Sequence, residues 1–119
     1  MKVVVSSQQP EITSPIEPRF GRASYFLLVD TETDQVEVIA NEGAQTAHGA
    51  GIQAAQCVLH AGAEAIITGH CGPKAFQALA AGGIPVYLMP SGTVAEAVQK
   101  LSSGELVSVG SPNVGSHWV

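Results

Sequence analysis

The chain opens on a continuous run of β-branched apolar positions, Val3 to Ser6, which suits a central strand buried on both faces. A polar stretch from Ser7 to about Pro18 follows, and prolines at 10, 15 and 18 exclude both a helix and an inner strand there. Tyr25 to Asp30 and Gln35 to Ile39 read as two strands, with Thr31 to Asp34 supplying the turn residues of an antiparallel hairpin. From about His48 the period changes. Ile52, Ala55 and Leu59 fall on one helical face with Ala54 and Val58 beside it, and Gly62 ends the helix. Ala65 to Thr68 is a second short buried strand, and Gly72-Pro73 starts a helix whose inward face carries Phe76, Leu79 and Ala80 before Gly82-Gly83 stops it. Ile84 to Met89 reads as a third buried strand. Thr93-Val-Ala-Glu96 then has the spacing of a capping box ahead of a helix with Val94, Ala97, Val98 and Leu101 on one face. Glu105 to Val109 is a candidate edge strand.

A hairpin followed by right-handed crossovers builds a three-layer α/β/α sandwich around a mixed five-stranded sheet with one antiparallel strand. Such a sheet has its natural pocket beyond the carboxyl ends of the parallel strands. Three loops are expected to meet there: the one after the first strand, Gly69 to Pro73, and Met89 to Thr93.

With 119 residues, 45% of them hydrophobic, the chain has material for one core, expected over residues 1–109 with a flexible tail at 110–119. Charged residues make up 13% and the net charge is -5, which argues against a grip on nucleic acid. No run approaches membrane-spanning length and the N-terminus lacks a signal peptide's apolar segment, so the expected compartment is the cytoplasm. Cys57 and Cys71 are too few for a disulfide framework or for a protein-ligated iron-sulfur cluster.

Gly69-His-Cys-Gly-Pro73 is the best chemical site, because it places His70 and Cys71 before a helix N-terminus, where the dipole favours an anion and lowers a thiol's pKa. The alternative is that Gly69, Gly72 and Pro73 simply shape a turn in which Cys71 is a small filler. Cys57 lies within a helical apolar pattern and reads as an inert packed thiol. Arg19 and Arg22, flanking Phe20 and Gly21, bring two of five basic residues together and suit anion capture, or pair weakly with Glu11 and Glu17. His48-Gly-Ala-Gly51 opens a helix without the preceding strand or the later acidic residue that a dinucleotide fingerprint requires, which leaves a bare helix N-terminus with His48 at its mouth. His60 and His117 carry weaker signals. No nucleophile elbow, zinc-protease helix or P-loop occurs. The element order is similar to that of ribonuclease-H-like nucleases, but the first strand lacks the carboxylates that hold their metal ions.

Phe20-Gly-Arg-Ala-Ser-Tyr-Phe26, Gly49-Ala-Gly51, Gly69-His-Cys-Gly-Pro73 with Ala75 and Leu79, Gly83-Ile-Pro-Val-Tyr87, and Thr93 to Ala97 leading to Gly104-Glu-Leu106 form an ordered set. Together they resemble the dinitrogenase iron-molybdenum cofactor biosynthesis family over about residues 1 to 109. The resemblance implies a ribonuclease-H-like sandwich that binds metal-sulfur cofactors without catalysis. For a short stand-alone chain it implies a non-covalent molybdenum-copper sulfide cluster, with an iron-molybdenum cofactor precursor as the alternative cargo. A protein that delivers or receives the cluster is the implied partner. Under this reading Arg19 and Arg22 offset negative charge, the helix starts near Gly49, Gly72 and Thr93 donate hydrogen bonds to sulfide, and Phe20, Gly21, His48, Gly51, Gly69, His70, Ser91 and Gly92 complete the expected cofactor-binding set. Ala50 and Met89 exclude water, and Cys71 or Met89 touches copper during loading. Two further readings stay open: a regulatory or scaffold domain binding a small anionic metabolite, and a thiol-dependent enzyme using Cys71 with His70 or His48 as base.

Overall fold

The computed structural model describes residues 1–45 and 48–110. The tail beyond Gly110, with His117, lies outside the described residues. Six strands, β1 (Lys2–Ser7), β2 (Tyr25–Asp30), β3 (Val36–Ala40), β4 (Ala65–Thr68), β5 (Val86–Leu88) and β6 (Ser108–Val109), form one sheet in the order β3-β2-β1-β4-β5-β6. Three helices, α1 (Ala50–His60), α2 (Pro73–Ala81) and α3 (Val94–Ser102), and two 3-10 turns, Phe20–Arg22 and Glu42–Gln45, complete the fold.

β1 pairs antiparallel with β2 and parallel with β4, β4 pairs parallel with β5, and β6 runs antiparallel to β5. The expected five-stranded sheet with one antiparallel strand is therefore corrected to six strands, of which β2 and β6 run against the others. β6 is the candidate edge strand of residues 105–109 reduced to its last two residues, Ser108–Val109, paired with β5. β5 is also shorter than the apolar run from Ile84, since Pro85 has no N–H to give a ladder and serves only as an acceptor, from Ile66 N–H at 3.1 Å.

Alternation along the central strands feeds two cores. Val4, Phe26, Leu28, Ile66 and Val86 face α1 and α2 and pack with Ala54, Ala55, Val58, Ala75 and Leu79. Val3, Val5, Leu27, Val29, Ala65 and Ile67 face the other way, onto Val94 and Ala97 of α3. Helices thus cover both sides, and β1 is buried on both faces, as its unbroken apolar pattern predicts. Each helix runs back against the parallel strands, so all three helix N-termini lie at the carboxyl edge of β1, β4 and β5.

Candidate functional site

The chain leaving β1 crosses this edge twice. Residues 12–16 turn to the α3 side, where Val94 N–H donates to Ser14 O at 3.0 Å, Ala95 N–H to Ile12 O at 2.9 Å, and Ile16 N–H to Gly92 O at 2.9 Å. Residues 17–20 then cross above β4 toward α1 and α2. Ser6 Oγ donates to Glu17 O at 2.7 Å and shares a hydroxyl–hydroxyl hydrogen bond of 2.8 Å with Thr68 Oγ1, while Pro18 O accepts from Gly69 N–H at 3.1 Å and His70 N–H at 2.6 Å. Phe20 N–H closes the crossing on His70 O at 3.2 Å. Ser6, Thr68 and Pro18 do not stand out in the sequence as site builders; the available signal is a buried polar residue at the end of each of two apolar strands.

This path separates the candidate residues into two groups. On the α3 side, Thr93 caps its helix with a full capping box: Thr93 N–H donates to Glu96 Oε1 at 2.9 Å and Glu96 N–H to Thr93 Oγ1 at 3.2 Å. With Val94 and Ala95 bound to the long loop, all four first amides of α3 are occupied, and the Glu96 carboxyl is held below its usual range by the hydrogen bonds from Thr93. The expectation that the start of α3 donates to an anion is corrected on that ground. Met89 lies in the α3-side core, and Ser91 and Gly92 are exposed above it.

On the other side, the 3-10 turn Phe20–Arg22 packs against α1, and an isolated parallel bridge joins Arg19 to His70. Phe20 is buried against Phe26, with ring centroids 5.3 Å apart, so it anchors the turn from below rather than lining a cleft. Asn41 Nδ2 holds the same turn through Gly21 O at 3.2 Å and Ala23 O at 2.8 Å, and Arg22 Nη1 donates to Ala44 O at 3.0 Å. Arg19 and His48 are exposed, and His70 is half-buried.

α1 and α2 lie side by side and start at this edge. Among the described residues neither has a side-chain cap, and neither has an acidic residue in its first turn. The N-cap of α1 is Gly49 at φ 76°, a left-handed conformation that glycine adopts without steric cost. Helix geometry leaves the first-turn N–H groups of Ala50, Gly51 and Ile52, and of Lys74 and Ala75, without intrahelical partners. Lys74, not singled out by the sequence, is exposed in the first turn of α2, where the helix dipole opposes a cation unless an anion sits nearby.

Gly69 and His70, both in the expected cofactor-binding set, direct their amides to Pro18 O. Cys71 differs from expectation. It is 1% exposed within the α1/α2 core, and burial pushes its thiol up to about 12, overriding the helix dipole. Such a thiol is protonated at neutral pH, which removes the basis for a Cys71 nucleophile or a low-pKa copper ligand. In the native protein at pH 8.5, iodoacetamide is therefore expected to modify half-buried Cys57 while Cys71 reacts only after denaturation, as counted by intact-mass spectrometry. Since the folded value lies above the ordinary 9.0, the stability that burial of the neutral thiol provides is intact below pH 9 and is lost as pH rises toward 12.

Cys57 itself is less enclosed than its apolar pattern predicts. It lines a groove of about 700 Å³ with Asn41, Glu42, Gln53 and His60, which none of the sequence-predicted cofactor residues lines. Desolvation, then the Glu42 carboxylate, raises its pKa.

The model of the dinitrogenase iron-molybdenum cofactor family matches residues 1–104. The chain belongs to this family. Among solved structures, the apo form of the orange protein from Desulfovibrio gigas is 41% identical, superposes with a TM-score of 0.92, and is covered over 96% of its length by 95% of this chain. A putative NifB protein from Thermotoga is 35% identical with a TM-score of 0.81, over 95% of this chain and 98% of that one. An uncharacterised protein of Methanocaldococcus jannaschii is 31% identical over 94 residues, 76% of this chain and 80% of its own length. The two structural matches span both cores and the carboxyl edge of the sheet, so the family relation includes the elements that build the candidate site.

Proposed function

We propose that the protein binds, without catalysis, an anionic molybdenum-containing metal-sulfur cluster or its precursor at the joined N-termini of α1 and α2. The observation that carries this reading is the contrast among three helix starts at one edge. α3 is capped, acidic and fully hydrogen-bonded, whereas α1 and α2 have no acidic first turn and, among the described residues, no side-chain cap, and are flanked by Arg19, Arg22 and Lys74.

The residues present fit a preassembled anion. Among the described residues no three His, Cys, Asp or Glu side chains gather to hold a bare metal ion. A cluster whose metals are already ligated by sulfide asks only for N–H donors, cations and a dry wall. Arg19, Arg22 and Lys74 would balance its charge, the first-turn amides of α1 and α2 would donate to its outer sulfides, and half-buried Gly49 would let it approach the backbone at the start of α1. The dinitrogenase iron-molybdenum cofactor family and the orange protein fold support this cargo class, a molybdenum-copper sulfide cluster first and an iron-molybdenum cofactor precursor second. We further read the β3-β2-β1-β4-β5 order as ribonuclease-H-like, a cytoplasmic cluster carrier as the setting, and a cluster-delivering or cluster-receiving protein as the partner. No helix of the described residues is long and apolar enough to cross a membrane.

Apo protein mixed anaerobically with tetrathiomolybdate and a copper(I) salt is expected to elute from gel filtration with a visible chromophore and with both metals in fixed ratio to protein. Elution of colourless protein, free of molybdenum, counts against the reading. Retention of inorganic phosphate or a nucleotide by the same face, in place of the chromophore, would support the anionic-metabolite alternative.

A further inference from the structure

We propose that the outer edge of β3, with the apolar groove beside it, docks an extended basic segment of a second protein. Among the described residues β3 pairs only with β2. Two bonds at the ends of this ladder, Asp30 N–H to Gln35 O at 2.9 Å and Asn41 N–H to Ser24 O at 3.0 Å, set its alternation. Gln35, Glu37 and Ile39 therefore turn their backbone groups toward β2, and Val36, Val38 and Ala40 turn theirs outward. The side chains of Val36 and Val38 are 39% and 45% exposed. They lie on the α3 face, where Val36 joins Ile12, Val29, Ala95 and Val98 in a groove of about 360 Å³.

Among the described residues no strand pairs with this outer edge. Residues 36–40 contain no proline and no lysine. It is instead acidic: Asp30, Glu32, Asp34 and Glu37 lie within eight positions, and no lysine or arginine occurs between Arg22 and Lys74. Among the described residues, the basic groups facing these carboxylates are the N-terminal ammonium, 4.0 Å from Glu32, and Lys2, which acts on Asp30. A second copy is a poor occupant. Antiparallel pairing centred on Val38 would set the two Glu37 side chains diagonal to each other and each acidic hairpin against Glu42 of the other copy. A basic strand places apolar side chains over Val36 and Val38 and cations beside Glu37, while its main chain completes the ladder.

β3 leads through Asn41 into the turn Glu42–Gln45, whose Ala44 O holds Arg22. A strand docked on β3 thus ends beside the candidate cluster site, where a delivering or receiving protein must act. Only that role rests on the cluster reading; the docking itself rests on β3.

The test uses the full-length apo protein and a fluorescein-labelled hexapeptide of alternating lysine and valine, with alternating glutamate and valine as control. Anisotropy is expected to show saturable binding of the lysine peptide alone, weakened by salt, with amide shifts centred on Val36, Val38 and Ala40 in a ¹⁵N spectrum. V38P removes one outward N–H, and V36K with V38K adds charge to solvent-exposed positions; each is expected to reduce affinity at least about tenfold with the far-UV spectrum unchanged. Equal binding of both peptides, or no effect of either variant, overturns the proposal. So does concentration-dependent self-association that V38P abolishes, or protection of the Val36 and Val38 amides that is lost when residues 111–119 are removed, since each assigns the edge to a different occupant.

Discussion

Replacing Gly69 by alanine is expected to lower the stability of the fold by about 3 kcal/mol, as read from urea unfolding followed by far-UV circular dichroism. A Cβ at this position would stand 2.8 Å from Pro18 Cα and 2.9 Å from Pro18 O. Both are backbone atoms, so no side-chain rotation relieves the clash. Moving Pro18 away would break the two hydrogen bonds its carbonyl accepts from Gly69 and His70, and would loosen the Arg19–His70 bridge that follows. Gly49 is the internal control. A Cβ there meets nothing within 4 Å, so alanine costs only the left-handed conformation, about 1 kcal/mol. Equal unfolding midpoints for G69A and wild type would show that the crossing is not tightly packed.

Replacing Arg19 and Arg22 together by alanine is expected to weaken cluster retention by about 100-fold, corresponding to roughly 1.5 kcal/mol for each guanidinium taken away from the anion. Arg19 is exposed beside the crossing, and Arg22 reaches from the 3-10 turn to Ala44 O. Because Arg22 also ties that turn, R19A alone and R22K serve to separate charge from architecture. R19A leaves the hydrogen bond to Ala44 O untouched, and R22K keeps the charge while giving up the guanidinium geometry. C57S, whose side chain lines the groove beside Glu42 and His60, is expected to retain the cluster at wild-type affinity. A double arginine variant that retains molybdenum and copper as wild type does, or a C57S protein that does not, would place the site elsewhere.

Much of the architecture is legible along the chain because it is local. The valines of β1, the apolar run 65–68, Pro73 at the start of α2 and the Thr93–Glu96 capping box each state their structure within a few residues. The site is less legible, and the capping box shows why. The motif that identifies the start of α3 also satisfies its amides, so a clear helix signal marks an N-terminus that is closed to ligands. The helix dipole likewise predicts a lowered thiol at Cys71. The desolvation that overrides it comes from a core to which Phe20, Val58 and Leu79 are brought from three different elements.

By itself the sequence determined the strands, the helices, their order, the family and the short list of cationic and glycine-rich segments near one edge of a sheet. Only the tertiary structure decided which of those segments share a face. Short-range patterns record how each residue treats its neighbours in the chain. Whether an amide at Gly69 or Val94 is open depends on where Pro18 and Ser14 come to rest, and that is set by one long loop crossing the sheet edge.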